Sequence, residues 1–324
     1  MSFVLNLKKK IINGESITKD EAMKLIDVPL DELTKQADNI RKFYCQNKFD
    51  VCTILNVKNG CCSEDCSFCA QSIHNQTSIK TYPMLSEDII VSQSKQILDG
   101  GFKRISFVSS GRKIDDDEFD IILKAIWKLQ QEYDDIHICV SLGLLTNKQM
   151  KLLKKCNVSR IHNNLESSSN YFKHICTTHS YNDKLDTLKT INDENLIICS
   201  GGIFGLGETF EDRIDLAMQL RNLNIKSIPI NILNPIKGTP VEDNQILSND
   251  EVCRIVAIFR FINPRSFIRM AGGRTLLSDN GLKAFQSGAN ACILGNMLTT
   301  MGGSIEDDLD MINQLGYVIT YSLK

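Results

Sequence analysis

The strongest constraint on the fold is a rhythm that repeats eight times along the chain: a short β-rich apolar run, a loop, then an amphipathic helical window. The runs lie at 49–57, 104–110, 137–143, 160–166, 196–205, 227–233, 267–273 and 291–294. The helical windows fall at 87–98, 117–131, 148–155, 182–193, 209–223, 250–261, 279–286 and 305–315. Strands that alternate with helices imply right-handed crossovers and a parallel sheet, the α/β class. Eight such units in about 270 residues predict a closed (β/α)8 barrel of the TIM type. Ahead of them, 17–47 reads as helical, with Met23, Leu25, Ile26, Leu30 and Leu33 as its apolar positions and Thr18 or Ser16 as caps. No Pro/Gly/Ser-rich linker interrupts the series. The division expected is therefore an N-terminal helical extension over 1–47 and one barrel over 48–324.

In such barrels the chemistry sits at the C-terminal ends of the strands and on the loops that follow them. The loop after the first strand reads Asn59-Gly60-Cys61-Cys62-Ser63-Glu64-Asp65-Cys66-Ser67-Phe68-Cys69-Ala70-Gln71-Ser72. Cys62, Cys66 and Cys69 stand there in a C-x3-C-x2-C spacing, with Phe68 before the third cysteine. A cubane iron–sulfur cluster normally takes four thiolates, so a set of three leaves one iron open to a non-protein ligand. Two readings compete. Zinc would take a fourth ligand, which His74 could supply as Cys3His, and the adjacent Cys61 lets the register slide by one. Phe68 favours the register that uses Cys62.

The bulk composition narrows the partners. The chain has 324 residues, 42% hydrophobic and 23% charged, with a formal charge of −2. Without a basic block there is no electrostatic footprint for nucleic acid. No apolar stretch approaches the ~20 residues of a membrane span. The N-terminal apolar run is too short for a secretory signal, and its lysines follow it where a signal would have them first. Twelve cysteines without an export signal argue for a reducing compartment, where thiols act as ligands. A cytoplasmic protein is expected.

The barrel strands carry residues that a purely structural barrel would not select. Cys139 lies on the third strand, Cys199 on the fifth and Arg269 on the seventh. Alternate strands of a barrel feed the same interior layer. Two thiols and a cation around one point suggest a second metal–sulfur centre. A lone strand cysteine is more often a small core residue, whereas a buried guanidinium needs acceptors or an anion. Asn164 and Asn231, on even strands, carry amides suited to a neutral cyclic urea, or else merely satisfy barrel backbone. The fifth strand continues into Gly201-Gly202-Ile203-Phe204-Gly205-Leu206-Gly207-Glu208. The glycine spacing is not that of a dinucleotide fingerprint, and glycine suits close approach to a bound molecule.

The cysteine loop has the motif of the radical S-adenosylmethionine (SAM) enzymes, and Gly201, Ile203 and Gly205 fit the G-x-I-x-G-x-x-E element that receives adenine in them. From about residue 29 onward the chain resembles the biotin synthase family. The resemblance is carried by Cys62–Cys69 with Gln71-Ser72, Cys139-Val140-Ser141-Leu142-Gly143, Asn164-Leu165-Glu166, Cys199-Ser200-Gly201-Gly202-Ile203, Pro229-Ile230-Asn231-Ile232-Leu233, Lys237-Gly238-Thr239-Pro240, Arg269 and Ala271-Gly272-Gly273-Arg274. It implies a [4Fe-4S] cluster on Cys62, Cys66 and Cys69 that reduces SAM to methionine and a 5′-deoxyadenosyl radical. It implies hydrogen abstraction from dethiobiotin and sulfur insertion from an auxiliary cluster, [2Fe-2S] in the family. Phe68, Glu166, Gly201, Ile203 and Gly205 would serve the cofactor, and Asn164 and Asn231 the substrate or SAM. A low-potential donor such as flavodoxin or ferredoxin and a homodimer are further implications.

One position departs from the family pattern. The auxiliary cluster there uses three cysteines and an arginine, and the second-strand cysteine is Ser106 here. Either the auxiliary cluster here is of another type, or another cysteine replaces the missing one, with Cys176, on the loop after the fourth strand, as the candidate. Cys45, Cys52, Cys156, Cys253 and Cys292 read as core residues. The rivals are another barrel radical SAM enzyme, of the hydrogenase-cofactor maturase or methylornithine synthase type, and a non-catalytic metal-binding protein.

Overall fold

The computed structural model describes residues 2–295, 297–300 and 302–321. The eight staves of the barrel are β1 (Lys48–Lys58), β2 (Arg104–Ser109), β3 (His137–Ser141), β4 (Arg160–His162), β5 (Ile197–Cys199) continued by β6 (Gly202–Phe204), β7 (Ser227–Ile232), β8 (Phe267–Met270) and β9 (Ala291–Leu294). Every pairing between them is parallel, and β9 returns to β1 to close the ring. The expected fold class is the observed one. Two features were not legible. A tenth strand, β10 (Val318–Thr320), adds to the start of β1, and the fifth stave is broken between Cys199 and Gly202.

The break has a local cause. The Gly201 amide donates to Asn164 Oδ1 at 3.0 Å instead of to a strand neighbour. A Cβ on Gly201 would lie 2.0 Å from the Pro229 carbonyl oxygen, and one on Gly202 2.4 Å from that of Glu166. These glycines let neighbouring staves cross at close range. At Gly201 the close approach that glycine permits is already that of the Pro229 backbone.

The helices between the staves are α4 (Glu87–Asp99), α5 (Asp116–Glu132), α6 (Asn147–Lys155), α7 (Tyr181–Asp193), α8 (Phe210–Asn222), α9 (Asn249–Ile262), α10 (Leu282–Gln286) and α11 (Ile305–Gln314), all close to their predicted windows. Ahead of the barrel come α1 (Phe3–Ile12), α2 (Lys19–Met23) and α3 (Leu30–Cys45). Thr18 forms a capping box with Glu21 and so starts α2. Helix α3 packs on α9, α2 on α8, and α1 on α3. Val4, Leu7, Leu25, Leu33 and Ile40 join the same continuous apolar core as the outward faces of the barrel strands. No helix among the described residues is long and apolar enough to cross a membrane.

The inward faces differ from that core. Because side chains alternate along a strand, Val51 and Leu55 of β1 belong to the apolar layer under the helices, while Cys52 and Ile54 line the barrel interior.

Candidate active site

One cavity of about 370 Å³ opens into the barrel, and it is lined at one end by the cysteine loop and at the other by strand residues. The loop is shaped by backbone. Gly60 takes φ +78° with no room for a Cβ beside Thr81, and Cys61 follows at φ +52°. The Cys62 amide then donates to Gln71 O and the Ile73 amide to Cys62 O, both at 2.9 Å. A turn carries the Cys69 amide back to Cys66 O at 3.0 Å, and Asn75 Nδ2 caps the carbonyls of Cys66 and Cys69. Cys61 is exposed while Cys62 is buried, so the loop turns the register containing Cys62 inward. Cys69 and Phe68 line the cavity. Burial pushes the Cys69 thiol up to about 11. His74 is exposed, with Nε2 3.1 Å from Ser63 O.

Beside this loop stands a second set of groups. Cys66, Cys176 and His179 place their donor atoms within 4.8 Å of one another. Cys176 Sγ is 3.1 Å from both Asp65 Oδ1 and His179 Nδ1, and His179 pairs with Glu64. The neighbouring Cys66 draws the Cys176 thiol down to about 4, and the pairing pushes the Cys66 thiol up. Cys176 was the candidate for the missing auxiliary-cluster ligand. The structure instead seats it by the cysteine loop, against Phe172, Ile175 and Leu206, because the segment after β4 folds back over Asp65.

In the barrel interior Cys139, Cys199 and Arg269 all line the same cavity, as their strand positions predict. Cys52 lines it too, and its interaction with Cys139 raises the Cys52 thiol and lowers that of Cys139. The expectation that Cys52 is a core residue is therefore corrected. Ser106, in register with Cys139, also faces the cavity. Below the thiols lies a charged floor. Asp50 is fully buried and meets Arg160 Nη1 at 3.0 Å, Arg104 Nη2 at 3.4 Å, and Arg269. Burial alone would push its carboxyl up, but the Arg160, Arg269 and Arg104 guanidiniums hold it below the usual carboxylate range. Arg269 Nη1 also donates to Cys292 O at 2.6 Å. Arg104 Nη1 reaches Cys139 Sγ at 3.7 Å. Sequence reasoning missed Asp50, Arg104 and Arg160. The signal was present, since a guanidinium on β8 needs an anion and Asp50 shares the inward face of β1 with Cys52.

Between the two ends lie the amides. Asn231 is tied to backbone at both ends, Nδ2 to Gly202 O and Oδ1 from the Gly272 amide, each at 3.0 Å, and it still lines the cavity. Asn164 holds Gly201 and neighbours Glu166 and His162. Glu166 is held at φ +69°, an unfavourable backbone state for a residue with a side chain. Its Oε2 is buried without a partner, and burial pushes its carboxyl up. Ile203, like Glu166 and Phe68, lines the cavity. Gly201 and Gly205 do not, and Gly205 serves instead to take φ +101°.

The radical SAM superfamily model matches residues 57–220, and the Biotin and Thiamin Synthesis associated domain matches 229–318. The biotin synthase of Brachyspira hyodysenteriae is 50% identical over 97% of this chain and 94% of its own. The chain belongs to the biotin synthase family. A biotin synthase of Clostridium botulinum is 49% identical over 98% of this chain and all of its own, and biotin synthase 2 of Corynebacterium diphtheriae 46% over 99% and 97%. Among solved structures, a methylornithine synthase superposes with a TM-score of 0.83 at 17% identity, covering 97% of each chain. An FeFe-hydrogenase maturase from Carboxydothermus hydrogenoformans gives 0.83 at 17% identity, covering 98% of this chain and 79% of that one. At such identity these two share the fold, and the maturase and methylornithine synthase readings give way to biotin synthase, a radical SAM enzyme.

The residues present fit the clusters and SAM that such an enzyme uses. Thiols are soft ligands suited to iron–sulfur centres. Among the described residues the interior ones stand over three guanidiniums and a single carboxylate, with Arg160 Nη2 buried and unpartnered. Glu166 Oε2 is a free acceptor of the kind a ribose hydroxyl needs.

Proposed function

We propose that the chain converts dethiobiotin to biotin by sulfur insertion, with SAM cleaved at the loop end of the cavity and sulfur supplied from its floor. The observation that carries this reading is the placement of two separate thiol sets on one cavity, Cys69 at its loop end and Cys52, Cys139 and Cys199 inside the barrel. Cys62, Cys66 and Cys69 would hold the [4Fe-4S] cluster, and Cys139 and Cys199, with Arg269 beside them, an auxiliary cluster. When bound, these groups supply one-electron cleavage of SAM, a carbon-centred radical and sulfide sulfur.

The protein's share is positioning and exclusion of water. Ile203 and Phe68 offer apolar walls to the cofactor, and Glu166 offers an acceptor. Asn231, fixed at both ends of its amide, is a rigid polar contact for a ureido ring, and Asn164 a second one. The segment 297–300 lines the cavity from the far side and helps to keep solvent from the reacting carbons.

The rest of the reading is coarser. We take residues 1–47 as an extension and 48–324 as the barrel, its last three residues lying outside those described; that α1–α3 all precede β1 and add no stave supports that division. A flavodoxin- or ferredoxin-like donor and a homodimer rest on the family. A cytoplasmic location rests on twelve free cysteines.

The test is anaerobic reconstitution with iron and sulfide counted per chain, followed by one turnover with SAM and dethiobiotin. Biotin formed as the auxiliary cluster signal disappears is the expected result. SAM cleavage by a protein that holds a single cluster and makes no biotin would overturn the reading.

A further inference from the structure

We propose that Cys52 is the third thiolate of the auxiliary cluster, moved from the second stave, where Ser106 now stands, to the first. The inference rests on the sulfur-insertion reading and assigns a ligand within it.

Three independent observations lead to Cys52. The first is the layer. Counting staves around the ring, Cys52 is on the first, Cys139 on the third, Cys199 on the fifth and Arg269 on the seventh. An interior layer takes its side chains from alternate staves, so these four complete one layer, while Ser106 on the second belongs to the other set. The second is the cavity. Cys52 lines the same cavity as Cys139, Cys199 and Arg269, whereas Cys176, the other thiol that sequence offers, is held at the cysteine loop by Asp65 and His179. The third is charge. Among the described residues three guanidiniums face one carboxylate under this layer, an excess of two positive charges that favours an anionic group above them. Arg160 lines the cavity, is 2% exposed, and leaves Nη2 without a partner.

The chemistry selects sulfur over oxygen. Ser106 and Cys52 both face the cavity, and iron–sulfur centres prefer thiolate ligands. Ligation forms one Fe–S bond at Cys52 and releases its thiol proton to solvent, with no electron transferred. Arg269, already engaged by Asp50 and Cys292 O, then acts as a neighbouring cation, and the protein ligands of the cluster are three thiolates.

The test compares wild type, Cys52→Ala, Cys52→Ser, Ser106→Ala and Cys176→Ala after anaerobic reconstitution, by iron and sulfide content and Mössbauer spectra. In every sample the cluster on the cysteine loop and its cleavage of SAM report whether the barrel is folded. The expected result is that both Cys52 variants lose the auxiliary spectrum and keep the SAM-dependent one, while Ser106→Ala and Cys176→Ala keep both. If Cys52→Ala fails to fold, the near-isosteric Cys52→Ser decides on the same spectra. A full auxiliary spectrum in the Cys52 variants, or its loss in Ser106→Ala or Cys176→Ala instead, would overturn the assignment of Cys52. A wild-type protein with no second cluster would overturn the function itself, which separates the two failures.

Discussion

The two thiol sets are built by opposite means. Cys62, Cys66 and Cys69 sit on one short loop whose shape comes from its own backbone hydrogen bonds. Cys52, Cys139 and Cys199 come from distant parts of the chain and meet only because the barrel closes with its register fixed. The first set is an attachment to the fold, and the second is part of its interior packing. A change in the loop should therefore cost chemistry and leave stability nearly intact, whereas a change under the inner layer should cost stability whether or not a cluster is present.

Cys66→Ala tests the first half. Loss of even an outer partner of a metal ligand costs 10–100-fold in affinity or activity, so loss of a proposed ligand should cut SAM cleavage by more than about 100-fold. Urea unfolding of the apoprotein should shift by about 1 kcal/mol or less, since Cys66 is partly exposed. A large loss of stability in this variant would erase the contrast between the two sets.

Asp50→Asn tests the second half. Removing the carboxylate that, among the described residues, alone faces Arg104, Arg160 and Arg269 leaves buried charges uncompensated, a change that costs about 3–5 kcal/mol. Because Asp50 is depressed in the folded chain, its contribution is complete at neutral pH. It disappears as pH falls below about 4 and through the folded value. Apoprotein stability followed down the acid range should lose part of its slope in the variant, and an unchanged slope would show that the floor is not held by this carboxylate.

The same contrast explains what the sequence disclosed. The eight-fold alternation gave the barrel, and the loop cysteines were legible because their spacing is written in consecutive residues. Cys139, Cys199 and Arg269 were legible because a thiol or guanidinium is unusual in a strand. Cys52 was not, since in Val51-Cys52-Thr53-Ile54 it looks like any small apolar strand residue, and only barrel closure turns it toward Cys139. Cys176 misled for the matching reason. Its position after β4 fits an inward-facing ligand, and only the fold shows that Asp65 and His179 claim it. The breaks that Asn164 and the positive φ of Glu166 make in their staves depend on partners far away in the chain.

Gly201→Ala probes a residue whose motif suggested cofactor approach and whose surroundings indicate sheet packing. Its new Cβ would meet the Pro229 carbonyl at 2.0 Å, and an overpacked interior typically costs 1–3 kcal/mol. Denaturant unfolding of the apoprotein should fall by about that much, with no SAM present. Unchanged stability together with weaker SAM binding would return Gly201 to the cofactor.

Glu166→Gln has the smallest expected effect and joins the two ends of the cavity. Burial holds the Glu166 carboxyl above its ordinary value, so the folded chain binds more protons than the unfolded one in that interval. Its unfavourable contribution is absent below the unfolded value of about 4.3 and grows as pH rises toward the folded one. Glutamine carries no charge to desolvate, so at neutral pH the apoprotein should gain about 1 kcal/mol, the scale of one buried unsatisfied polar group. SAM affinity should fall at the same time, because the carboxylate acceptor is gone. A gain in stability with SAM affinity unchanged would make Glu166 a strained structural residue. A loss of both would place it with Asp50 among the groups that hold the barrel interior together.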